Sequence, residues 1–222
     1  MRVLQFGDSL LPVGSFAFSN ALEAAVQEGV VADVATLTQF VRTAIRRAAT
    51  SDGIALLHAH RAACSADLAQ VTLADHAVLD RKLGEEMRTM TVRMGRKLAE
   101  VAEATVRAPM LSRWLGQVRD GLTPGTYPAA LGVLLAELGS PEEDAFAIHQ
   151  YGVAMTTLGA ALRLMRLDHR DAQAILYIAS GDAEGDYADV CRATLDDMAT
   201  FAPMADILGA IHVKARVRMF MS

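Results

Sequence analysis

The residues best able to bind metal ions or transfer protons near neutral pH are scattered along this chain of 222 residues. There are six histidines, and the closest pair, His58 and His60, would project about 200° from one another on a helix, too far apart to share one ion. The two cysteines, Cys64 and Cys191, lack the spacing of a zinc site and are too few for a disulfide framework. We therefore expect no metal site, hydrogen-bonded or solvated histidines, and two reduced, mostly buried thiols.

Motifs for the commonest enzyme reactions are also absent from the sequence. There is no Walker-type phosphate loop, no Gly-x-Ser-x-Gly elbow and no His-Glu-x-x-His zinc motif. Pairs of neighbouring acids diverge by about 100° on a helix, which is typical of a solvated face or a helix N-terminus. These pairs are Glu85-Glu86, Glu142-Glu143 and Asp196-Asp197. We predict a protein with no catalytic residues and no cofactor.

The most informative segment lies near the N-terminus, in residues 8–23. Pro12 restricts its own backbone and Gly14 can adopt conformations closed to other residues, so the segment predicts a defined turn. Phe16 and Phe18 point the same way if the backbone there is extended. Ser19 is placed to cap the helix that follows. On the residue pattern alone, a purely structural turn remains the alternative.

The C-terminal residues 212–222 are unusual for an acidic chain, because three cations alternate with apolar side chains. Such a pattern allows the tail to dock in extended form, either on its own chain or on a partner. A solvated tail is equally consistent with the residues.

Composition predicts an all-α fold: a single compact multi-helix domain of about ten helices, with no sheet, over residues 1–222. Hydrophobic residues make up 52% of the chain and aromatic residues only 5%, which favours closely packed helices. Within this domain we distinguish an N-terminal turn segment, about 1–18, and a C-terminal docking tail, about 212–222.

Charge and hydropathy limit the partners and the location. A net charge of -5 gives no reason to expect nucleic acid binding. The N-terminus is too poor in apolar residues for a secretory signal, and no apolar run reaches the ~18 residues of a membrane span. We therefore expect a cytoplasmic protein with neither nucleic acid nor membrane as a partner.

Local signals in the first half predict several helix boundaries. A short helix over 20–28 ends at Gly29, Asp33 caps the next helix, and Ser51-Asp52-Gly53 marks a break. Residues 81–106 predict one long amphipathic helix. Its apolar stripe, which we interpret as core rather than as a soft-metal surface, consists of Leu83, Met87, Met90, Met94, Leu98 and Val101.

In the second half, Ser140-Pro141-Glu142-Glu143 has the form of a capping box and predicts a second long helix towards Leu167. Gly152 and Gly159 lie on one face of it and would allow another helix to approach, within the fold or across a subunit interface. Asp168 caps a further helix, and residues 180–186 form a polar interruption.

The N-terminal segment resembles the signature of the UreF family of urease accessory proteins, roughly Leu-Pro-[Val/Ile]-Gly-[Gly/Ser]-[Phe/Tyr]-x-x-Ser-x-Gly-Leu-Glu. One position differs, because the family's glycine is Ala21 here. Inside a helix we expect that alanine to be harmless or favourable.

The tail resembles the same family's C-terminal signature, roughly His-Glu-x-x-x-x-Arg-[Leu/Met]-[Phe/Tyr]-x-Ser, with Val213 in place of the usual glutamate. Internal landmarks are similar as well. They are Met94-Gly95-Arg96, Tyr127 in a loop of small residues, and Arg163-Leu164 followed by Gln173. The resemblance covers essentially the whole chain.

This resemblance implies a non-enzymatic helical scaffold that forms a homodimer and binds the accessory protein UreD/UreH. The pair then recruits the GTPase UreG for delivery of nickel to apo-urease. Phe16 and Arg218 match the family's residues for GTPase recruitment, and the tail matches its UreD/UreH-binding region, with Phe220 as an apolar anchor. The partner-binding residues implied in this way are Pro12, Gly14, Phe16, Phe18, Ser19, Glu23, His212, Arg218, Met219, Phe220 and Ser222.

Three alternatives remain. The chain could regulate the GTPase activity of UreG by supplying an arginine, for which Arg218 and Arg96 are the candidates. It could be a small helical enzyme with a pocket around Arg163, His169 and Gln173, although no nucleophile is paired with a base there. It could also be a helical dimer without urease partners.

Overall fold

The computed structural model describes residues 2–8, 11–199, 202–214 and 218–220. Within them the chain forms α-helices and no strand, which confirms the predicted all-α class, and ten helices have eight or more residues, as the predicted number of about ten requires. No helix in these ranges combines the length and apolar character that a membrane span needs. The helices are α1 (Arg2–Gly7), α2 (Leu22–Gln27), α3 (Val34–Ala48), α4 (Ile54–Cys64), α5 (Leu68–Asp80), α6 (Glu85–Thr105), α7 (Pro109–Arg119), α8 (Tyr127–Glu137), α9 (Glu142–Leu164), α10 (His169–Ser180), α11 (Ala183–Val190) and α12 (Pro203–Lys214).

The larger of two buried cores surrounds α8, which packs against α4, α5, α6, α7 and α9. Gly132 lies where α8 meets α4, and a Cβ atom there would stand 2.5 Å from the carbonyl oxygen of Leu56. Glycine therefore allows the two helices to approach closely. Trp114 of α7 and Phe146 of α9 are fully buried in the same core.

The second core lies between α2, α3, α10, α12 and the C-terminal half of α9. Its large side chains include Leu22, Leu37, Val41, Leu158, Ile175, Leu208 and Phe220. Helix α9 contributes Phe146 to the first core and Leu158 to the second. This one helix therefore joins both cores into a single compact domain.

Two of the predicted helix caps are confirmed. The Asp33 side chain accepts the backbone N–H of Thr36, and the Asp168 side chain accepts the backbone N–H of Asp171. The long helix predicted over 81–106 is present as α6, but it begins at Glu85. Leu83 of the predicted apolar stripe therefore precedes the helix and is 74% exposed rather than in the core. Each capping side chain bonds a backbone N–H only three residues later, so these caps form independently of tertiary packing.

Three predicted boundaries are wrong. We expected a break at Ser51-Asp52-Gly53, but residues Ala49–Gly53 form a π-helical segment that connects α3 to α4. Pro141, with ψ near 152°, is the N-cap residue of α9, so the Ser140 hydroxyl lies one residue too early and makes no capping bond. The polar stretch 180–186 is mostly helical, since α10 ends at Ser180 and α11 begins at Ala183.

The face of α9 that carries Gly152 and Gly159 is open. Apart from the adjacent residues and the backbone of α9 itself, no heavy atom of the described chain lies within 4 Å of where a Cβ would stand on either glycine. The helix also ends at Leu164, three residues before the predicted Leu167. The expected close approach therefore does not occur within the described fold, and a subunit interface at this face stays a prediction.

A buried polar group occupies the wall between the two cores. Lys82 donates to both carboxylate oxygens of Asp52, each at 2.7 Å. Burial alone would raise the pKa of Asp52, but the nearby Lys82 ammonium holds that pKa below its ordinary value. His149 is buried close by, and burial lowers its pKa to about 4. The π-helical segment thus places Asp52 in the interior with its counter-ion.

The neutral His149 ring predicts a pH dependence of stability. The unfolded chain binds this proton near the ordinary pKa of 6.5 and the folded chain only near 4, so the free energy of unfolding falls as the pH drops between these values. The expected loss is up to about 1.4 kcal/mol per pH unit. Urea unfolding of wild type and His149→Gln at several pH values measures it. The variant should have a flatter profile, the exposed His169→Gln should match wild type, and equal slopes for wild type and His149→Gln would contradict the assignment.

Candidate functional site

The carboxylate of Glu23 joins the N-terminal and C-terminal parts of the chain. Glu23 is buried on α2 and accepts a hydrogen bond from Nε2 of His212 at 2.9 Å. It also accepts the backbone N–H groups of Met219 and Phe220, at 2.7 and 3.0 Å. Burial alone would raise the pKa of Glu23, but these three hydrogen bonds hold it below its ordinary value. The carboxylate is therefore ionised and fully engaged at neutral pH.

A second carboxylate, Glu86 of α6, lies on the other side of the histidine. Its Oε2 is 3.3 Å from Nδ1 of His212, and its Oε1 accepts a hydrogen bond from Arg218. We call Glu23, Glu86, His212 and Arg218 the Glu23 cluster. Glu86 lies in the first turn of α6, which agrees with the helix N-terminus interpretation of the acidic pairs. It is not simply solvated, because it contacts residues that are 126 and 132 positions away in sequence.

The N-terminal turn, residues 11–18, places its two aromatic side chains on opposite sides. Gly14 has a φ of +88° and is followed by a short 3-10 helix, Ser15–Ala17. Phe16 is 72% exposed, whereas Phe18 is 3% exposed and packs in the larger core. The expectation that both point the same way is wrong, because the backbone between them is helical rather than extended.

The start of α2 also differs from the prediction. The helix begins at Leu22, so Ser19 is not its N-cap, although its hydroxyl accepts the Glu23 N–H at 3.4 Å. Ala21 precedes the helix in a left-handed conformation with a φ of +66°. It is therefore not inside the helix, and it occupies a conformation that favours glycine.

Arg163, at the end of α9, contacts both of these regions. Its guanidinium donates to the carbonyl oxygen of Phe16 at 2.8 Å and lies 4.1 Å from the centre of the Phe220 ring. Sequence reasoning noted Arg163 as a family landmark and as a residue of a candidate enzyme pocket, but not as a link between these two regions. Two contacts so distant in sequence leave no local signal.

The described part of the tail does not form one extended segment, the form that the alternating pattern allows. Residues 212–214 are the last residues of helix α12, and residues 218–220, which we call the C-terminal segment, are described outside a helix. Helix packing decides this conformation, because Leu208 and His212 are one turn apart and both are buried. The predicted site residue Ser222 lies outside the described residues.

The other predicted partner-binding residues separate by exposure. Pro12, Phe16, Arg218 and Met219 are exposed, and Gly14 is partly exposed. Phe18, Ser19, Glu23, His212 and Phe220 are buried against their own chain. In this conformation the second group therefore supports the surface that the first group forms.

The family landmarks Gly95 and Tyr127 lie where the loop that precedes α8 packs against α6. The buried carboxylate of Asp75 accepts the N–H groups of Gly125 and Thr126, at 2.9 and 2.7 Å. Gly95 makes room for this loop, since a Cβ there would stand 2.3 Å from the Gly125 carbonyl oxygen. Tyr127 follows, and its burial raises the pKa of its hydroxyl to about 12.

Within the described ranges, no group of three or more His, Cys, Asp or Glu side chains is arranged to hold a metal ion. The prominent features are instead the exposed Phe16 and Met219 beside the Glu23 cluster. The two thiols are not mostly buried as we expected, since Cys64 is exposed and Cys191 is partly exposed. Fold and site together define an all-α protein whose two end regions both contact Arg163.

Comparison with known proteins identifies the family. The UreF family model matches residues 31–179. "Urease accessory protein UreF 2" of Brucella canis is 51% identical over 222 residues, covering 100% of this chain and 91% of that relative. "Urease accessory protein UreF" of Yersinia enterocolitica is 48% identical over 221 residues, covering 99% of this chain and 96% of that relative. The chain belongs to the UreF family.

The left-handed Ala21 predicts an unusual response to glycine. Ala21→Gly and Ala25→Gly each remove one buried methyl group, but only the first relieves left-handed strain. We expect Ala21→Gly to be the more stable variant by about 1–2 kcal/mol. Urea unfolding of both variants measures the difference. Equal losses in the two variants would show that Ala21 is not strained.

The Glu23 carboxylate predicts a large loss of stability on neutralisation. Glu23→Gln leaves His212 and two backbone N–H groups with a weaker acceptor, so the free energy of unfolding should fall by about 3 kcal/mol. Glu28→Gln, on the exposed end of the same segment, serves as control and should change it by less than about 0.5 kcal/mol. Similar losses in both variants would contradict the importance of the cluster.

Proposed function

We propose that this chain is a non-enzymatic scaffold in the maturation of urease, which binds the accessory protein UreD/UreH and recruits the GTPase UreG to deliver nickel to apo-urease. Family membership and the resemblance of both end regions support this function. The observation that carries it is that one guanidinium, that of Arg163, contacts both the Phe16 carbonyl oxygen and the Phe220 ring. Two regions implied in partner binding therefore form one continuous surface.

Phe16 is the main apolar contact of this surface. Pro12 has a restricted φ, Gly14 adopts the left-handed φ of +88° that the turn needs, and Arg163 donates to the Phe16 carbonyl oxygen. Less backbone entropy is therefore lost when a partner binds here, and aromatic residues are enriched in interfaces. Phe16 therefore suits the recruitment of UreG.

The C-terminal segment supplies the second contact. Glu86 orients the guanidinium of Arg218, which is still 38% exposed, and Met219 is 62% exposed. Phe220 is buried in its own chain, so we assign the apolar contact with UreD/UreH to Met219 instead. Arg218 suits a carboxylate or carbonyl oxygen of a partner.

We also propose that the scaffold is a cytoplasmic homodimer. The open face of α9 around Gly152 and Gly159 is a candidate for the contact between copies, because small residues allow two helices to approach closely. Light scattering on the chain alone determines the number of subunits.

Size-exclusion chromatography with light scattering tests the scaffold function. The chain is measured alone and then mixed with UreD/UreH and UreG. We expect Phe16→Ala with Arg218→Ala to weaken the complex more than tenfold, and removal of residues 213–222 to abolish it. Leu83→Ala with Arg170→Ala, which changes an apolar residue as exposed as Phe16 and an arginine more exposed than Arg218, should leave it intact. Full affinity in the Phe16/Arg218 variant would contradict this surface.

The same mixtures distinguish the scaffold function from the alternative, which is regulation of GTP hydrolysis by UreG. Arg218 is bound to Glu86, and Arg96 donates to the carbonyl oxygen of Pro124. If either acts in the transition state, its replacement by alanine lowers GTP turnover at saturating concentrations of the complex. In the scaffold function, turnover per assembled complex stays unchanged.

A further inference from the structure

The side chain of Arg163 contacts three different parts of the chain at the end of α9. Its Nε donates to the carbonyl oxygen of Gly159, one turn earlier in the same helix, at 3.2 Å. Its Nη2 donates to the carbonyl oxygen of Phe16 at 2.8 Å, and its Cζ lies 4.1 Å from the centre of the Phe220 ring. The N-terminal turn and the C-terminal segment therefore share one side chain as a partner.

Both contacts depend on the position of a single rigid group. The guanidinium is planar, and its N–H donors keep a fixed geometry. The bond to Gly159 orients it, and the same orientation brings it to the Phe16 carbonyl oxygen and over the Phe220 ring. Ordering a long arginine side chain costs conformational entropy. Because the two contacts share this one cost, each contact is stronger when the other is present.

Each region also has an anchor of its own. Phe18 packs the N-terminal turn into the larger core. In the C-terminal segment, the backbone N–H groups of Met219 and Phe220 donate to Glu23. These anchors hold each region in place when the other is loosened. A coupling through Arg163 therefore changes local order and does not unfold the domain.

The contact with Phe220 combines a cation with an aromatic ring. The ring is buried in the second core, whereas Arg163 is exposed. A cation over an aromatic ring at an exposed site shifts an equilibrium by about two- to fivefold. Leucine at position 220 is also apolar but offers the cation no electron-rich face. The variant Phe220→Leu therefore removes the contact with Arg163 and keeps an apolar side chain in the core.

We propose that Arg163 is a positioning residue that couples the N-terminal turn to the C-terminal segment. Order in the segment stabilises the turn that presents Phe16, and order in the turn stabilises the segment. The coupling acts in both directions, because an interaction free energy between two regions is reciprocal. This inference concerns the chain alone, so it stands or falls independently of the proposed partners.

Proton NMR of the Arg163 side chain tests the geometry directly. Protons that lie over an aromatic ring are shielded, so we expect the Nε–H and Cδ protons of Arg163 to lie upfield of their random-coil positions. In Phe220→Leu these signals should move downfield. Random-coil positions in the wild-type chain would overturn the proposal even if no variant were made.

Hydrogen exchange measures the coupling from the C-terminal side. The amides of Ala17 and Phe18 donate to carbonyl oxygens within the N-terminal turn. In Phe220→Leu we expect both amides to exchange about two- to fivefold faster than in wild type. The amides of Gly125 and Thr126 are controls, because they donate to a buried carboxylate outside both regions, and their exchange should stay unchanged.

The opposite direction is measured with Gly14→Ala. This change strains the N-terminal turn, because Gly14 has a φ of +88°. The amides of Met219 and Phe220 should then exchange more than twofold faster than in wild type, although the substitution lies in the other region. Unchanged exchange of these two amides in a chain whose turn amides have become faster would contradict a reciprocal coupling.

A double-mutant cycle assigns the coupling to Arg163. Arg163→Met keeps a long apolar side chain and removes the guanidinium, so adding Phe220→Leu to it should no longer change the exchange of the turn amides. Arg166→Met, which changes an exposed arginine nearby, should leave the effect of Phe220→Leu intact. An effect that persists in Arg163→Met would assign the coupling to another route, such as Glu23 and α2. No effect of Phe220→Leu in the wild-type background would overturn the coupling itself.

Discussion

A carboxylate that is removed from water must be supplied with donors, and at Glu23 this requirement brings distant parts of the chain together. The donors come from α12 and from the two backbone N–H groups that follow it. Glu23 itself cannot move, because its helix packs in the second core. Hydrogen bonds to Glu23 therefore hold the backbone of the C-terminal segment, while Glu86 binds Arg218 and Phe220 adds an apolar contact.

Rigid packing behind the surface makes this arrangement specific. Helix α9 belongs to both cores and ends at Arg163, whose guanidinium lies between the Phe16 carbonyl and the Phe220 ring. Phe16 is thus exposed without being loosely attached. Its neighbour Phe18 anchors the turn in the larger core. The exposed residues of the proposed interface depend on buried residues close to them in sequence.

Sequence predicted those features whose causes are local. The caps at Asp33 and Asp168 need partners three residues away, and α6 follows from its apolar period. The roles of Glu86 and Arg163 could not be predicted, since their partners are more than 50 residues distant. The left-handed conformation of Ala21 was not predicted for another reason. Alanine is favourable in helices, so its presence suggested a helical position, whereas the family's glycine would have indicated a left-handed one.

The separation of 189 residues between Glu23 and His212 has a consequence for biosynthesis. Most helices can pack while the chain is still being made, but Glu23 has to wait for its donors until synthesis is almost complete. Closing so long a loop is entropically costly unless the intervening helices have already folded. A chain that stops early, or that folds incorrectly between its ends, therefore lacks the assembled surface. The cluster acts as a check on completeness, because only a finished and folded chain presents both halves of the surface together.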